Sequence, residues 1–251
     1  MALVDSLETR APPYRPIKPK LDWLHAIRAM RRLLADKEDT VAVFEIMRAL
    51  NGASTARGYH RLLTSPEGGR IAYERPEYAR RLMDGAWLDS LPEGSVGAAY
   101  RTFVRAEQLS ADGLVEVSRT GQTQIDEPHP YAWFGRRTRD VHDLWHTLTG
   151  YGRDGLGEAC LVAFSYAQTK GLGWAFIATV SALRARKAKT YPYVGAIWEG
   201  YRRGKAAAWL LGEDYERLMS EPLEAARRRL NLPAPAIYNA IPPEARNEKA
   251  A

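Results

Sequence analysis

Arg139-Asp140-Val141-His142-Asp143-Leu144-Trp145-His146-Thr147-Leu148-Thr149-Gly150-Tyr151-Gly152-Arg153-Asp154-Gly155-Leu156-Gly157-Glu158 reads as a helix, a glycine-rich reversal and the start of a second helix. Apolar residues recur at three- and four-residue steps before the glycines, and an apolar run follows them to Gln168. Helices are therefore predicted over residues 139–151 and 155–168, with Gly150, Gly152, Gly155 and Gly157 turning the chain between them. On the first helix, His142 and His146 lie one turn apart on the same face, so both imidazoles can reach one point about 6 Å along the axis. Asp143 is rotated by about 100° from His142, yet its carboxylate can swing back or hold a histidine in one tautomer. The reversal brings Glu158 against this face.

The same periodicity extends outward. Leu21, Trp23, Leu24, Ile27, Met30, Leu33 and Leu34 form an amphipathic stripe, and Val41, Phe44, Met47 and Leu50 form another that stops at Asn51-Gly52. Further helices are predicted near residues 55–64, 77–88, 95–109, 173–188, 194–211 and 223–230, the last opened by Pro222. Residues 110–130 read as a long connection with at most a short hairpin near 113–125. Pro12, Pro13, Pro16 and Pro19 mark residues 1–19 as an extended arm. Pro242, Pro243 and the polar run after them mark a frayed tail within 233–251. The predicted architecture is all-α, a single multi-helix domain over residues 20–232.

Composition narrows the function classes. The chain has 251 residues, 45% of them apolar, and a single cysteine, which excludes a disulfide framework and a cysteine-based zinc knuckle. Cys160 falls two residues past Glu158, on nearly the opposite helix face, and reads as core. No run approaches the roughly 20 apolar residues of a bilayer span. The acids in Met-Ala-Leu-Val-Asp-Ser-Leu-Glu argue against a signal peptide or presequence. The net charge is +6, and Arg184, Arg186, Lys187, Lys189, Arg202, Arg203 and Lys205 against Glu199 account for the excess. Such a cluster is either a solvated face or a surface for phosphates. Its neighbours Trp198, Tyr201 and Trp209 interleave cations with amphipathic rings, a mixture that favours an anionic membrane interface over nucleic acid.

Two imidazoles with one or two carboxylates make a borderline-hard ligand set suited to a divalent ion such as Zn²⁺. The bland alternative is a pair of surface histidines on a helix. A random chain of this composition would contain His-Asp-x-x-His-x11-Glu with a probability on the order of 10⁻⁴ to 10⁻³. His25, His60 and His129 have no spaced partners.

His142-Asp143-x-x-His146-x11-Glu158 resembles the metal-binding signature of the Coq4 family of ubiquinone biosynthesis proteins. The stretch Leu91-Pro-Glu-Gly94-Ser-Val-Gly97-Ala-Ala-Tyr100-Arg-Thr-Phe103 and the Arg137–Asp140 lead-in support the resemblance, which runs from about Ile46 to Leu232. The chain before Ile46 matches no part of that pattern.

The resemblance implies an all-helical protein, peripheral on a membrane, holding a polyprenylated quinone precursor beside a divalent metal, with Zn²⁺ the expected ion. It carries His142, Asp143, His146 and Glu158 over as ligands and catalytic residues. The activity implied is a metal-dependent decarboxylase, a lyase that removes the ring carboxyl at C1 in the course of oxidative replacement by hydroxyl. Arg137 and Arg139 (with Arg136) are candidates to anchor the carboxylate, and Phe164, Phe176 and Trp198 to hold the prenylated substrate, although such apolar residues can equally be core. Expected partners are the precursor, an anionic membrane surface, other ubiquinone biosynthesis proteins and a second copy in a homo-oligomer. The expected location is the cytoplasmic face of a bacterial inner membrane, or the matrix side of the mitochondrial inner membrane in a eukaryote. Two rival readings are a lipid-binding scaffold that organises the biosynthetic enzymes without catalysis, and a zinc hydrolase with Asp143 as general base.

Overall fold

A computed structural model of the protein describes residues 20–37, 39–106 and 129–247. All regular structure among these residues is helical, with one isolated bridge, Ser95 to Pro222, so the all-α expectation holds. The arm at 1–19 and the hairpin near 113–125 lie outside the described residues.

Gly155–Thr169 is the central helix, with apolar and small residues such as Leu156, Cys160, Leu161, Val162 and Phe164 buried around most of its circumference. A helix apolar on nearly all faces must be enclosed, and it is, by Tyr193–Ala206 on one side and Leu172–Ala185 on another. The contact with Tyr193–Ala206 is backbone-close. A Cβ at Gly200 would overlap the carbonyl oxygen of Cys160. At the far end of the central helix Gln168 is buried but saturated: its Nε2 donates to the Gly204 and Ala208 carbonyls, and its Oε1 accepts from Leu210 N–H.

Trp23–Ala35 and Thr40–Ala49 pack as a pair against Leu172–Ala185, with a core of Ala26, Ala29, Met30, Ala42, Ile46, Val162 and Ile177. Asp22 and Asp39 cap the two helices by accepting from His25 and Ala42 N–H. The stripe predicted on the first helix is only partly buried. The helix turns its Ala26, Ala29 and Met30 face inward and leaves Trp23, Leu24, Ile27 and Leu34 exposed, Leu24 by 59%.

Element boundaries differ from the sequence reading where local signals mislead. Residues 77–88 form two helices, Tyr78–Met83 and Gly85–Ser90, because Asp84 leaves the helical conformation and caps the second by accepting from Trp87 N–H. The helix predicted from 139 begins at His142. Before it lies Pro130–Asp140, a separate helix with proline in its first turn, where the sequence reading had only a connection and a lead-in. Gly68–Glu74 is a further helix hidden by its opening glycines. The helix predicted to 211 ends at Ala206. Within the stretch read as a tail, expected to fray from Pro242, lie the short helices Ala236–Asn239 and Pro243–Arg246, which bury Tyr238 and Ala245, with Ile241 buried between them. Glu199 caps the first of these through both carboxylate oxygens, to Ala236 and Ile237 N–H.

Candidate metal centre

His142–Thr149 carries the histidines. It ends at Gly150, whose φ of +78° is the left-handed conformation of a helix C-cap. The chain then turns through Tyr151 and Gly152, and Asp154 opens the central helix by accepting from Gly157 N–H. Tyr238 clamps the turn from outside: its hydroxyl accepts from Gly152 N–H and donates to Asp154. Gly157 lies so close to the Gly152 backbone that a Cβ there would overlap the Gly152 carbonyl. This close passage brings Glu158 to the histidine face.

His142, Asp143 and His146 each offer one ligand atom, all within 4.8 Å of one another. Asp143 has swung back toward its neighbour, with Oδ1 3.6 Å from His142 Nδ1. Glu158 joins from the second helix, its Oε1 3.4 Å from His146 Nε2. His146 is buried, and its Nδ1 is 3.0 Å from the Tyr151 carbonyl oxygen. A carbonyl can only accept, so Nδ1 carries a proton, and in the neutral ring Nε2 presents its lone pair toward the carboxylate. Nε2 of both His142 and His146 is buried with no hydrogen-bond partner among the described residues. A lone pair facing an anion repels it unless a cation, proton or metal, lies between them. The donor set and the orphaned nitrogens therefore fit a divalent ion.

The same groups favour positive charge between them, whether proton or metal. Burial opposes the charged form of His146, yet Glu158 and Asp143 outweigh it and raise its proton affinity. Burial works against ionised Glu158, and His146, with smaller help from His142 and Arg153, lowers its pKa regardless. Asp143 is likewise lowered despite burial, chiefly by His142. Two rings pack on the histidines. Phe103 stacks on His146 at 5.5 Å between centroids, and Trp174 stacks on His142 at 5.5 Å.

The other predicted residues are placed elsewhere. Arg137 is buried in a cage of Tyr78, Trp133 and Tyr215 and donates to the Leu211 and Glu213 carbonyls. Arg139 pairs with Asp140 at 2.7 Å. Phe164 is wholly buried against Trp145 in the core. Phe176 is half-buried edge-on to Trp23, while Trp198 is exposed beside Tyr201. Cys160 is buried as expected, and burial pushes its thiol pKa up. Sequence reasoning missed the contacts of Phe103, the Tyr151 carbonyl and Arg153. Arg153, whose Nε is 3.7 Å from Glu158 Oε1, had a legible signal as the one cation in the glycine-rich reversal.

The fold and the site together define an all-helical protein with a two-histidine, two-carboxylate cluster at a helix reversal. The chain belongs to the Coq4 family: residues 20–236 match the family described as coenzyme Q (ubiquinone) biosynthesis protein Coq4. It is 32% identical over 173 residues to the mitochondrial ubiquinone biosynthesis protein COQ4 homolog of Rattus norvegicus, covering 68% of this chain and 62% of that one. The Homo sapiens counterpart is 31% identical over 69% of this chain and 63% of its own. The chain thus spans somewhat less than two thirds of these relatives. A mitochondrial COQ4 of Yarrowia lipolytica is 30% identical, over 73% of this chain and 71% of that one. Among solved structures, a Nostoc punctiforme chain described as a ubiquinone biosynthesis protein shares the fold, with a TM-score of 0.60 and 20% identity over 86% of this chain and 100% of its own.

Proposed function

We propose that this member of the ubiquinone biosynthesis family holds a polyprenylated hydroxybenzoate precursor beside a divalent metal at a membrane surface, and promotes loss of the C1 carboxyl group. The observation that carries the reading is the orientation of His146, whose Nδ1–H is committed to the Tyr151 carbonyl while Nε2 faces Glu158 at 3.4 Å. His142, Asp143, His146 and Glu158 would hold the ion, and their nitrogen and oxygen donors suit Zn²⁺. When bound, such an ion supplies a Lewis acid that stabilises the negative charge left on the ring as CO₂ departs. The C1–carboxyl bond breaks, its electron pair stays on C1, and a proton replaces the lost group. Installing a hydroxyl there instead takes a two-electron oxidant such as dioxygen. Phe103 stacks over His146, whose side chain is wholly buried, so charge interactions at that ring are strengthened.

Two surfaces support membrane association. Trp23, Leu24 and Ile27 are exposed on a helix that also carries Arg28 and Arg31, and exposed Leu183 precedes the cations at 184–189. No helix among the described residues is long and apolar enough to cross a membrane. The reading therefore places the protein on the membrane surface, in reach of other enzymes of the pathway: the cytoplasmic face in a bacterium, the matrix face in a mitochondrion.

The test is a quinone-deficient strain complemented by Asp143→Asn at matched protein abundance. Asn nearly preserves shape and removes the negative donor, so quinone should fall and carboxylated precursor accumulate. Wild-type levels of both would overturn the catalytic reading and favour a scaffold.

A further inference from the structure

We propose that Arg153 is the side chain that receives the substrate carboxylate, an inference that rests on the function proposed above. Asp143 and Glu158 offset the charge of a divalent ion, so a carboxylated ring gains a net attraction only from a further cation beside them. Guanidinium is suited to this task, because its planar fork matches a carboxylate with two parallel N–H donors.

Hydrogen-bond accounting assigns that cation. The other arginines near the motif in sequence or space are paired with carboxylates or held against backbone carbonyls, Arg137 and Arg203 with the side chain buried. Arg136 holds Glu77 at 2.6 Å, and Arg139 holds Asp140. Arg137 donates to the Leu211 and Glu213 carbonyls, Arg203 to those of Thr149 and Pro233, and Arg227 to those of Leu148 and Thr147. Arg153 differs. Its one ion-pair contact among the described residues is Glu158 at 3.7 Å, beyond hydrogen-bond length, and its side chain is 35% exposed. The reversal therefore presents a nearly unused donor fork at the edge of the ligand cluster.

Charge bookkeeping gives the selectivity. Asp143 and Glu158 balance a divalent ion, the two imidazoles are neutral as ligands, and Arg153 leaves the site one positive charge in excess. That charge suits a monoanionic carboxylate and gives nothing to the decarboxylated ring. Arg153 thus favours substrate over product.

The experiment measures binding of two short-tailed probes, 3-geranyl-4-hydroxybenzoate and 2-geranylphenol, by calorimetry to zinc-loaded and metal-free protein. The zinc-loaded wild type should prefer the carboxylated probe by about ten- to a hundredfold, the range for charge-assisted hydrogen bonds. In R153A and R153Q that preference should collapse to within about twofold, with phenol binding and zinc content unchanged, and R153K should recover part of it. Weaker binding of both probes alike in R153A and R153Q would overturn the proposal and make Arg153 a brace for Glu158. Preference retained in both variants would overturn it too, leaving the functional reading intact. A wild type that binds neither probe overturns the functional reading with it.

Discussion

His146 Nε2 stands 3.4 Å from Glu158 Oε1 while the opposite nitrogen of the same ring is held by the Tyr151 carbonyl at 3.0 Å. The reversal that carries Tyr151 also delivers Glu158, so one turn sets both the tautomer of the histidine and the position of its anionic neighbour. The fold itself therefore holds the histidine and the carboxylate face to face.

The first consequence concerns metal content. His142→Ala and His146→Ala should each abolish stoichiometric divalent metal, and Glu158→Ala should weaken binding about 10- to 100-fold, since it contributes from the edge of the three-atom cluster. Elemental analysis after dialysis checks this; full metal in the double histidine variant would show that the ion lies elsewhere.

In chelator-treated protein the same pair should shape the pH dependence of stability. The contribution of His146 is full below its ordinary 6.5 and is lost as pH rises through its raised folded value. That of Glu158 is full above its ordinary 4.5 and is lost as pH falls through its lowered folded value. Stability should therefore hold between those values and decline on both sides, and Glu158→Gln should flatten both declines. Urea unfolding across pH 3 to 9 measures it.

Arg137 should behave as a structural residue. Arg137→Leu strands the Leu211 and Glu213 carbonyls and empties the centre of an aromatic cage. It should cost about 3 kcal/mol, with the folded fraction retaining normal metal content and probe binding. Denaturant melts set beside calorimetry decide the point; loss of carboxylate selectivity at wild-type stability would return Arg137 to the substrate.

Close helix contact predicts a sharp size limit. Gly200→Ala should destabilise the protein by about 2–3 kcal/mol, because the new methyl meets the Cys160 carbonyl rather than a movable side chain. Gly195, whose Cβ position meets nothing nearer than the Pro192 side chain at 3.6 Å, is the control. Comparable melting temperatures for the two alanine variants would refute the packing argument.

On vesicles, association should require anionic lipid and weaken as salt rises, since headgroup attraction is screened beyond about 10 Å at 0.1 M. Leu24→Glu should remove the salt-resistant remainder by charging an exposed apolar position. Cosedimentation at low and high salt reads both effects. Equal binding to neutral vesicles would exclude the basic cluster as the docking element.

The local part of this protein was written in its spacing. A spacing of four positions from His142 to His146 is one helical turn wherever the helix sits, and four glycines before Glu158 are a reversal in almost any context, so the grouping of these side chains was legible without coordinates. Helix identity was legible for the same reason, although Asp84 and the glycines of Gly68–Glu74 misled the boundaries, because capping and burial compete with propensity residue by residue. Tertiary structure alone decided what depends on partners distant in the chain. The rings of Phe103 and Trp174 reach the histidines from other helices, and Tyr238 clamps the turn from residues that looked like a tail. Arg137 and Arg153 flank the same motif and carry the same group. Only packing buries the first among rings and carbonyls and leaves the second partly exposed beside Glu158, because burial is a property of the assembled surface and not of any sequence window.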